Sequence, residues 1–454
     1  MEPELNNDSQ PRAPEPMHSA PLRRRSLLAA AGLLTLPGVC GAGAANPQAQ
    51  LAAVVADPRW PLAGLSVYSV APGRPPLAAQ FGQAHYAPDR PITSDTLFRV
   101  ASLSKLITGL GALRLAEAGK LDLDADISDV LGVRVRNPAF DKEPIRVHHL
   151  MSHLSSLRDE GGIAFAPGIK LADELARPAS KSWAGEHAPG EYFSYCNLNY
   201  GVLASVMERA AGQRFDELMQ HWVLTPLAMQ GGFNGMALSD AQKAQIATLY
   251  RRQRVQKAAD AKGEDQEVWD LAAPWSAQTD DLDAKPLAPI VGLDDSYRPG
   301  DNGTLFGPQG GLRTRVADLG RVLEMLLADG TIDGRRFLAR KSIERMFAET
   351  WRHEPSKANG DTLDGLFQAW GTGAQHFIDR SAPGWGDRLV PAGGAQAWGH
   401  LGFAYGLEAA LLLDRKTRRG AVYVLNGHSA EPTRHRGTYS SFPLWQERLN
   451  GLLL

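Results

Sequence analysis

The sequence has few cysteines and almost no net charge, and both absences exclude classes of protein. Of 454 residues, 2 are cysteine, and 48 basic side chains nearly balance 50 acidic ones. A nucleic-acid binder carries a clear basic excess, so no nucleic-acid partner is expected. Cys40 lies in a segment interpreted below as an export signal, which leaves Cys196 without a disulfide partner in the mature chain. The length suits one large catalytic unit or two modest domains.

Several catalytic and metal-binding motifs are also missing. The chain has no Gly-x-Ser-x-Gly elbow, no His-Glu-x-x-His zinc motif and no glycine-rich phosphate loop. His149 and His153 are four residues apart and could chelate a metal from one helix face, but a structural role is favoured. Asp280, Asp281 and Asp283 lack a calcium-loop pattern and are interpreted as a solvated loop. We therefore expect neither a metal nor a cofactor.

Residues 1–45 have the composition of an N-terminal extension followed by an export signal. A polar, proline-rich start gives way to Arg23–Arg25, a short apolar stretch and the small residues Ala42–Ala44, in the order of a signal peptide. The arginines resemble a twin-arginine signal, for which Met17 is the more usual start. The apolar stretch is too short for a comfortable membrane span. We expect a periplasmic or secreted protein without a stable membrane span after signal removal, and the sequence before Cys40 disfavours a lipid anchor there.

The mature part has strand patterns at both ends and helical periods between them. Residues 64–70 and 76–86 form one strand-like pair around a turn, and 406–414 and 420–427 form another. The apolar spacing of residues 102–119 predicts a helix between these pairs. This order predicts an α+β fold, with an antiparallel sheet built from both chain ends, flanking helices and an inserted helical lobe.

The domain boundaries follow from the same pattern. We expect residues 46–454 to form a single catalytic domain after the 1–45 extension. Its parts are predicted as a sheet lobe at about 46–95 and 396–454, a helical lobe at about 96–395, and an irregular insertion at about 232–300.

Ser102 and Lys105 are the first candidate catalytic pair. They are three residues apart at the start of the predicted helix, so they share one helix face. A serine hydroxyl needs an adjacent base to act as a nucleophile, and a desolvated lysine can be that base. The helix N-terminus would also stabilise a developing oxyanion. The alternative is a serine that caps a helix, and only Lys105 among the lysines has a serine at this spacing.

Two further motifs add possible partners. Tyr195 and Asn197 lie in a loop that leads into a helix, where the phenol can relay a proton and the amide can orient a lysine and a substrate. The alternative for this motif is a helix N-cap. His400 and Gly402 precede a strand pattern, where an edge strand can align a substrate and the Phe403 amide can be a second oxyanion donor. His435 has the same short pattern without the following strand.

In this order, the three motifs resemble those of the penicillin-recognising serine hydrolases, which include class C β-lactamases, serine D,D-carboxypeptidases and β-lactamase-like carboxylesterases. The resemblance covers roughly residues 60–240 and 300–430, including VHHLMSHLSSL and GPQGGLRTRVADLGRV. It implies a β-lactamase/transpeptidase-like fold, with Ser102 as the acyl-enzyme nucleophile, Lys105 as its base and Tyr195 as a proton relay. Asn197, His400, Gly402 and Phe403 would bind and orient the substrate.

His400 departs from the resemblance, because a lysine is more common at that position. A histidine is only partly charged near neutral pH, which weakens the case for efficient β-lactamase activity. The best hypothesis is a D,D-peptidase- or β-lactamase-related hydrolase acting on a small-molecule or peptidoglycan-derived substrate. The alternatives are a carboxylesterase and a non-catalytic sensor that binds peptidoglycan or penicillin. The pattern leaves the oligomeric state open.

Overall fold

The computed structural model describes residues 46–177, 180–256, 266–283, 286–290, 293 and 296–454. The export signal predicted for residues 1–45, with Cys40 inside it, lies outside the described residues. No helix in the described ranges is both long enough and apolar enough to cross a membrane.

The helices occupy mainly the middle of the chain, with one at each end of the described part. They are α1 (Pro47–Val55), α2 (Leu103–Glu117), α3 (Ile127–Leu131), α4 (Val147–Met151), α5 (Leu171–Ala176), α6 (Leu198–Ala211), α7 (Phe215–Met219), α8 (Asp240–Lys243), α9 (Val316–Leu327), α10 (Arg340–Met346) and α11 (Leu444–Leu453).

The strands come from both ends of the chain and from several short segments between them. They are β1 (Gly64–Val70), β2 (Leu77–Tyr86), β3 (Asp89–Pro91), β4 (Phe98–Arg99), β5 (Leu249–Gln256), β6 (Gln266–Trp269), β7 (Trp275–Thr279), β8 (Arg313–Thr314), β9 (Thr331–Ile332), β10 (Arg335–Arg336), β11 (Trp351–Arg352), β12 (Ala369–Trp370), β13 (Gln375–Phe377), β14 (Ala397–Ala404), β15 (Leu407–Asp414), β16 (Arg419–Leu425) and β17 (Gly427–His428).

The main sheet joins the two ends of the chain, which confirms the predicted α+β architecture. Among the described residues it has 9 strands in the order β11-β12-β13-β14-β15-β16-β1-β2-β3. Strand β1 pairs antiparallel with β16, so that Leu65 lies opposite Leu425. Both predicted hairpins are present, as β1–β2 and β15–β16. The two- and three-residue strands β11–β13 extend this sheet beyond what the sequence pattern predicted.

The two faces of the sheet carry different helices because side chains alternate along each strand. Leu411 and Leu413 of β15 face the core that contains α2 and α9, whereas Ala410 and Leu412 belong to the core that contains α1 and α11. Helix α2 is buried over most of its length, and Gly111 permits this. A Cβ at Gly111 would lie 2.7 Å from the sulfur of Met219. The helix that carries the first motif is therefore fixed in the interior.

The stretch predicted as an irregular insertion contains a small sheet. Strand β5 pairs antiparallel with β6 and β7, and parallel with β17. The interpretation of the 280–283 segment as a solvated loop is wrong for its first two residues, since Asp280 and Asp281 are both buried. Asp280 is buried and accepts two hydrogen bonds from Arg313, at 2.6 and 3.1 Å. A buried carboxylate needs such a partner, and the pair ties this segment to β8.

Candidate active site

Ser102 stands at the junction of a short strand and a buried helix. It follows β4 and is the N-cap residue of α2, but its side chain makes no capping hydrogen bond. The alternative that Ser102 serves as a helix cap therefore fails. Its hydroxyl instead accepts a hydrogen bond of 3.0 Å from Lys105 Nζ, as the three-residue spacing predicted.

Lys105 is fully buried and its ammonium is held by oxygen atoms from three parts of the chain. In addition to Ser102 Oγ, Nζ donates to Asn197 Oδ1 at 2.8 Å and to the Gln309 carbonyl at 3.0 Å. Burial lowers the pKa of Lys105 to about 7, and the negative charge of Asp159 partly opposes this shift. A large fraction of Lys105 is thus neutral near pH 7, as a general base must be.

The turn that supplies the Gln309 carbonyl is attached to α2 at several points. Thr108 Oγ1 donates to the Pro308 carbonyl at 2.9 Å, and Ser104 Oγ accepts from the Leu312 amide at 3.1 Å. These bonds hold Gln309 against Lys105. Gln309 belongs to none of the sequence motifs, because a backbone carbonyl leaves no side-chain signal in a sequence.

Tyr195 lies over the same lysine and is packed by aromatic rings. Lys105 Nζ is 4.8 Å from the centre of the Tyr195 ring, which stacks on Phe367 at 5.3 Å and lies 4.5 Å from His153. Burial raises the pKa of Tyr195 above its ordinary value, and a hydrogen bond with Ser102 partly offsets this effect. The phenol is therefore protonated at neutral pH and can give its proton away.

Asn197 points its side chain at the lysine, and an aspartate caps the helix in its place. Asn197 is the N-cap residue of α6 without a side-chain capping bond, so the capping alternative for this motif also fails. The backbone amides of Asn197 and Leu198 both donate to Asp159, each at 3.0 Å. Asn197 Nδ2 donates to Asp159 at 2.8 Å, which directs Oδ1 toward Lys105.

Asp159 is a site residue that the sequence analysis missed. It lies just beyond the quoted histidine-rich segment, in a short turn at Asp159–Gly161, and no local pattern links it to Asn197. Only the tertiary structure brings its carboxylate to the start of α6. Asp159 touches neither Ser102 nor a reacting atom, so we regard it as a positioning residue that acts through Asn197 and Lys105.

Asp159→Ala is expected to lower both stability and activity. Loss of the bonds to the α6 amides should cost about 1–3 kcal/mol of unfolding free energy. The pKa of Lys105 should fall further, because the Asp159 charge raises it, so the rise of kcat/KM with pH should move to lower pH. Denaturant unfolding and a pH profile measure both effects, with the exposed neighbour Glu160→Ala as control. An unchanged pH profile would contradict this positioning role.

His400 lies within β14 rather than before a strand, and only part of that strand is an edge. Strand β13 pairs with β14 through Ala397–Gly399. From His400 to Ala404, the side of β14 away from β15 has no strand partner among the described residues. The predicted edge therefore begins at His400, where an extended substrate could add to the strand.

The His400 imidazole is buried and neutral. Its ring lies 6.2 Å from that of Tyr195 and 5.5 Å from that of Trp370. Nδ1 is 2.6 Å from the Leu401 carbonyl, which can only accept, so Nδ1 carries the proton. Nε2 then presents a lone pair, and it has no hydrogen-bond partner among the described residues. Burial and the Lys105 charge lower the pKa of His400 to about 3. The ring therefore lacks the partial positive charge that the sequence analysis expected near neutral pH.

Gly402 allows β14 to lie directly against the start of α2. A Cβ at this position would be 2.7 Å from the Val100 carbonyl oxygen and 3.4 Å from the Ser102 amide nitrogen. A side chain here would push the strand away from the serine. Phe403 follows, with 50% of its surface exposed. The structure thus brings Ser102, Lys105, Tyr195, Asn197, His400 and Gly402 together at one place, with Phe403 beside them.

The histidines considered as metal ligands belong to different environments. His153 is buried and its Nδ1 accepts from the Cys196 amide at 3.1 Å, so it helps to hold the Tyr195 segment. His149 and His153 do not belong to a three-ligand group within the described ranges. The group found there combines His85, Asp281 and Asp283, whose ligand atoms lie within 4.8 Å of one another.

The chain is similar to known proteins in sequence and in fold. The family model named Beta-lactamase matches residues 51–441. Penicillin-binding protein 4* of Bacillus subtilis (strain 168) is 30% identical over 154 residues, which cover 33% of this chain and 33% of that protein. Esterase EstB of Burkholderia gladioli is 36% identical over 164 residues, which cover 33% of this chain and 41% of the esterase. The matched segments thus span less than half the length of these two curated relatives.

The fold similarity extends over nearly the whole chain. The structure of D-amino acid amidase from Ochrobactrum anthropi SV3, complexed with D-phenylalanine, superposes with a TM-score of 0.58 at 18% identity, covering 90% of this chain and 96% of the amidase. At this identity the similarity establishes the β-lactamase/transpeptidase-like fold that the motif order implied.

Proposed function

The chain belongs to the beta-lactamase family, and from this premise we propose that it is a serine hydrolase that cleaves an ester or amide through an acyl-enzyme on Ser102. The observation that carries the proposal is the contact of 3.0 Å between Lys105 Nζ and Ser102 Oγ, made by a buried amine. The pKa of that amine, about 7, suits a general base at neutral pH. No cofactor or metal has a role in this chemistry.

In the proposed reaction, Lys105 takes the proton of Ser102 as Oγ bonds to the substrate carbonyl carbon. The carbonyl electron pair moves to oxygen, and the Ser102 and Phe403 amides stabilise that oxyanion. When the carbonyl re-forms, the bond to the leaving group breaks and Tyr195 gives its proton to the leaving atom. Lys105 re-protonates Tyr195. Water then attacks the acyl-enzyme by the same steps, which releases the acid and restores Ser102.

His400 favours a substrate whose leaving group is uncharged. The Leu401 carbonyl fixes the proton on Nδ1 and burial keeps the ring neutral, so His400 offers no positive charge to a substrate carboxylate. β-Lactams and D,D-peptides carry a carboxylate on the leaving side, whereas simple esters and amides do not. We therefore propose that the substrate is an ester or a simple amide, in place of the D,D-peptide favoured by the sequence alone. One relative, EstB, is named as an esterase.

The non-catalytic sensor is less well supported. A binding module has no need for a nucleophile, a base and a proton donor in mutual contact, yet Lys105 contacts both Ser102 and Asn197 and lies under Tyr195.

Export from the cytoplasm is also part of the proposal. It is supported only by the sequence of residues 1–45, which resembles an export signal.

Hydrolysis of p-nitrophenyl butyrate by the wild type and by Ser102→Ala tests the proposal. We expect clear turnover by the wild type and only background release of p-nitrophenol by Ser102→Ala. Ser356→Ala is the matched control, since it removes the same hydroxyl from an exposed turn after β11. Equal rates for the wild type and Ser102→Ala would refute the proposal.

A further inference from the structure

Strand β5 lies directly against the turn that follows the candidate substrate strand β14. The turn consists of Tyr405 and Gly406, which has a φ of +87°. A Cβ at Gly406 would lie 2.0 Å from the Tyr250 carbonyl oxygen and 2.8 Å from Arg251 Cγ. Glycine is thus required there, and the close approach places the Arg251 side chain at the end of β14 that is remote from His400.

Arg251 is a half-buried cation without a matched anion. Its guanidinium lies 5.4 Å from the centre of the Trp269 ring, and its Nε is buried without a hydrogen-bond partner. No carboxylate lies within 4.0 Å of it among the described residues, although the charge of Glu267 acts from farther away. Burial lowers the pKa of Arg251, because holding the charged guanidinium away from water costs free energy.

A second guanidinium lies over the Tyr405 ring of the same turn. Arg99, three residues before Ser102, lies 5.2 Å from the centre of the Tyr405 ring and donates through Nε to the Gly310 carbonyl at 3.2 Å. The nearby buried carboxylate of Asp280 is already bound by both arms of Arg313. Arg99 and Arg251 are thus two partly desolvated cations near Tyr405, and neither has a carboxylate of its own in the described part of the chain. An anionic ligand would offset the free-energy cost of holding these charges away from water.

The direction of the substrate follows from the position of the proton donor. Tyr195 gives its proton to the leaving group, and the Tyr195 ring lies 6.2 Å from His400 at one end of the free edge. The leaving group thus occupies the His400 end. An acyl group on Ser102 extends the other way, past Phe403, toward Tyr405 and the two arginines.

We propose that Arg251 and Arg99 form an anion subsite, and that the enzyme takes esters or amides whose acyl part carries a carboxylate. This inference rests on the proposed function, since the acyl direction is defined by the acyl-enzyme. The carboxylate would bind the guanidinium of Arg251 against Trp269, with Arg99 adding charge from the side of Ser102. An uncharged leaving group and a charged acyl group together define the substrate class.

Two esters with the same leaving group test the subsite. The mono-p-nitrophenyl ester of adipate carries a carboxylate on its acyl chain, and p-nitrophenyl hexanoate is its uncharged counterpart. We expect the wild type to prefer the adipate ester about tenfold in kcat/KM, and Arg251→Gln to lose that preference with less than about a twofold change on hexanoate. Arg252→Gln is the matched control, because Arg252 lies next on β5, over Trp275 instead of Trp269. It should keep the preference.

Equal kcat/KM values of the wild type for both esters, or a parallel loss on both esters in Arg251→Gln, would overturn the subsite. A binding measurement separates this outcome from failure of the proposed function. Quenching of tryptophan fluorescence reports binding of the adipate ester to Ser102→Ala, which requires no turnover. Adding Arg251→Gln to that variant should weaken binding about tenfold. An unchanged Kd would overturn the subsite even if the wild type were shown to hydrolyse esters, and lack of hydrolysis alone would count only against the proposed function.

Discussion

Lys105→Met is expected to lower kcat/KM for p-nitrophenyl butyrate by about 10³–10⁴-fold. Methionine fills nearly the same buried volume but cannot accept the Ser102 proton, so the serine loses the base 3.0 Å from its oxygen. The thermal midpoint, measured on the same sample, should show a folded protein. Lys120→Met is the control, because Lys120 is exposed beyond the end of the same helix.

The pH dependence gives this variant a second readout. Only the neutral amine of Lys105 can act as a base, and burial lowers its pKa to about 7. The wild-type kcat/KM should therefore rise as pH increases through about 7, and Lys105→Met should lack this rise. A variant that keeps more than a tenth of the wild-type rate, or the same pH profile, would show that another group removes the proton.

Tyr195→Phe is expected to lower kcat by about 10²–10³-fold with little change in KM. The substitution removes only the hydroxyl, so the ring keeps its stacking on Phe367 and its contact with His153. The raised pKa of Tyr195 keeps the phenol protonated at neutral pH, which makes it the proton donor to the leaving group. The effect should be larger for an alkyl ester than for p-nitrophenyl butyrate, because p-nitrophenolate leaves without protonation.

Tyr192→Phe is the matched control for this experiment. Tyr192 lies three residues earlier and also loses one hydrogen bond, of 2.6 Å to Asp361, but its ring stacks on His187 away from Lys105. It should keep nearly full activity. Equal losses in the two variants, or equal effects on alkyl and p-nitrophenyl esters, would contradict the assignment of Tyr195 as the leaving-group acid.

The sequence predicted those parts of the site that depend on local spacing. Two residues three apart in a helix share a face irrespective of tertiary contacts, which applies to Ser102 and Lys105. The long apolar periodicity of α2 predicted that both lie at the start of a helix. The strands β1, β2, β15 and β16 were likewise visible, since each has seven to ten residues of strand-forming composition. Local patterns of this length survive in the folded protein.

The rest of the site depends on contacts between distant segments. Asp159 lies 38 residues before Asn197, and the carbonyl of Gln309 lies 204 residues after Lys105. Neither contact leaves a pattern in the chain. The strands β11 and β12 have two residues each, which is too few to show a period. The strands β5–β7 are rich in polar residues, so their composition resembles that of loops. The protonation of His400 also needed the structure, because the Leu401 carbonyl fixes it.

The central claim is that Ser102 carries the acyl group, and an acid-quenched mass measurement tests it most directly. The protein is mixed with p-nitrophenyl butyrate, quenched in acid during turnover and measured intact, with Ser102→Ala and the exposed control Ser356→Ala alongside. We expect the wild type and Ser356→Ala to gain the mass of one butyryl group, located by peptide mapping at Ser102, and Ser102→Ala to gain none. Turnover with the butyryl group on another residue, or an equal gain in Ser102→Ala, would contradict the account.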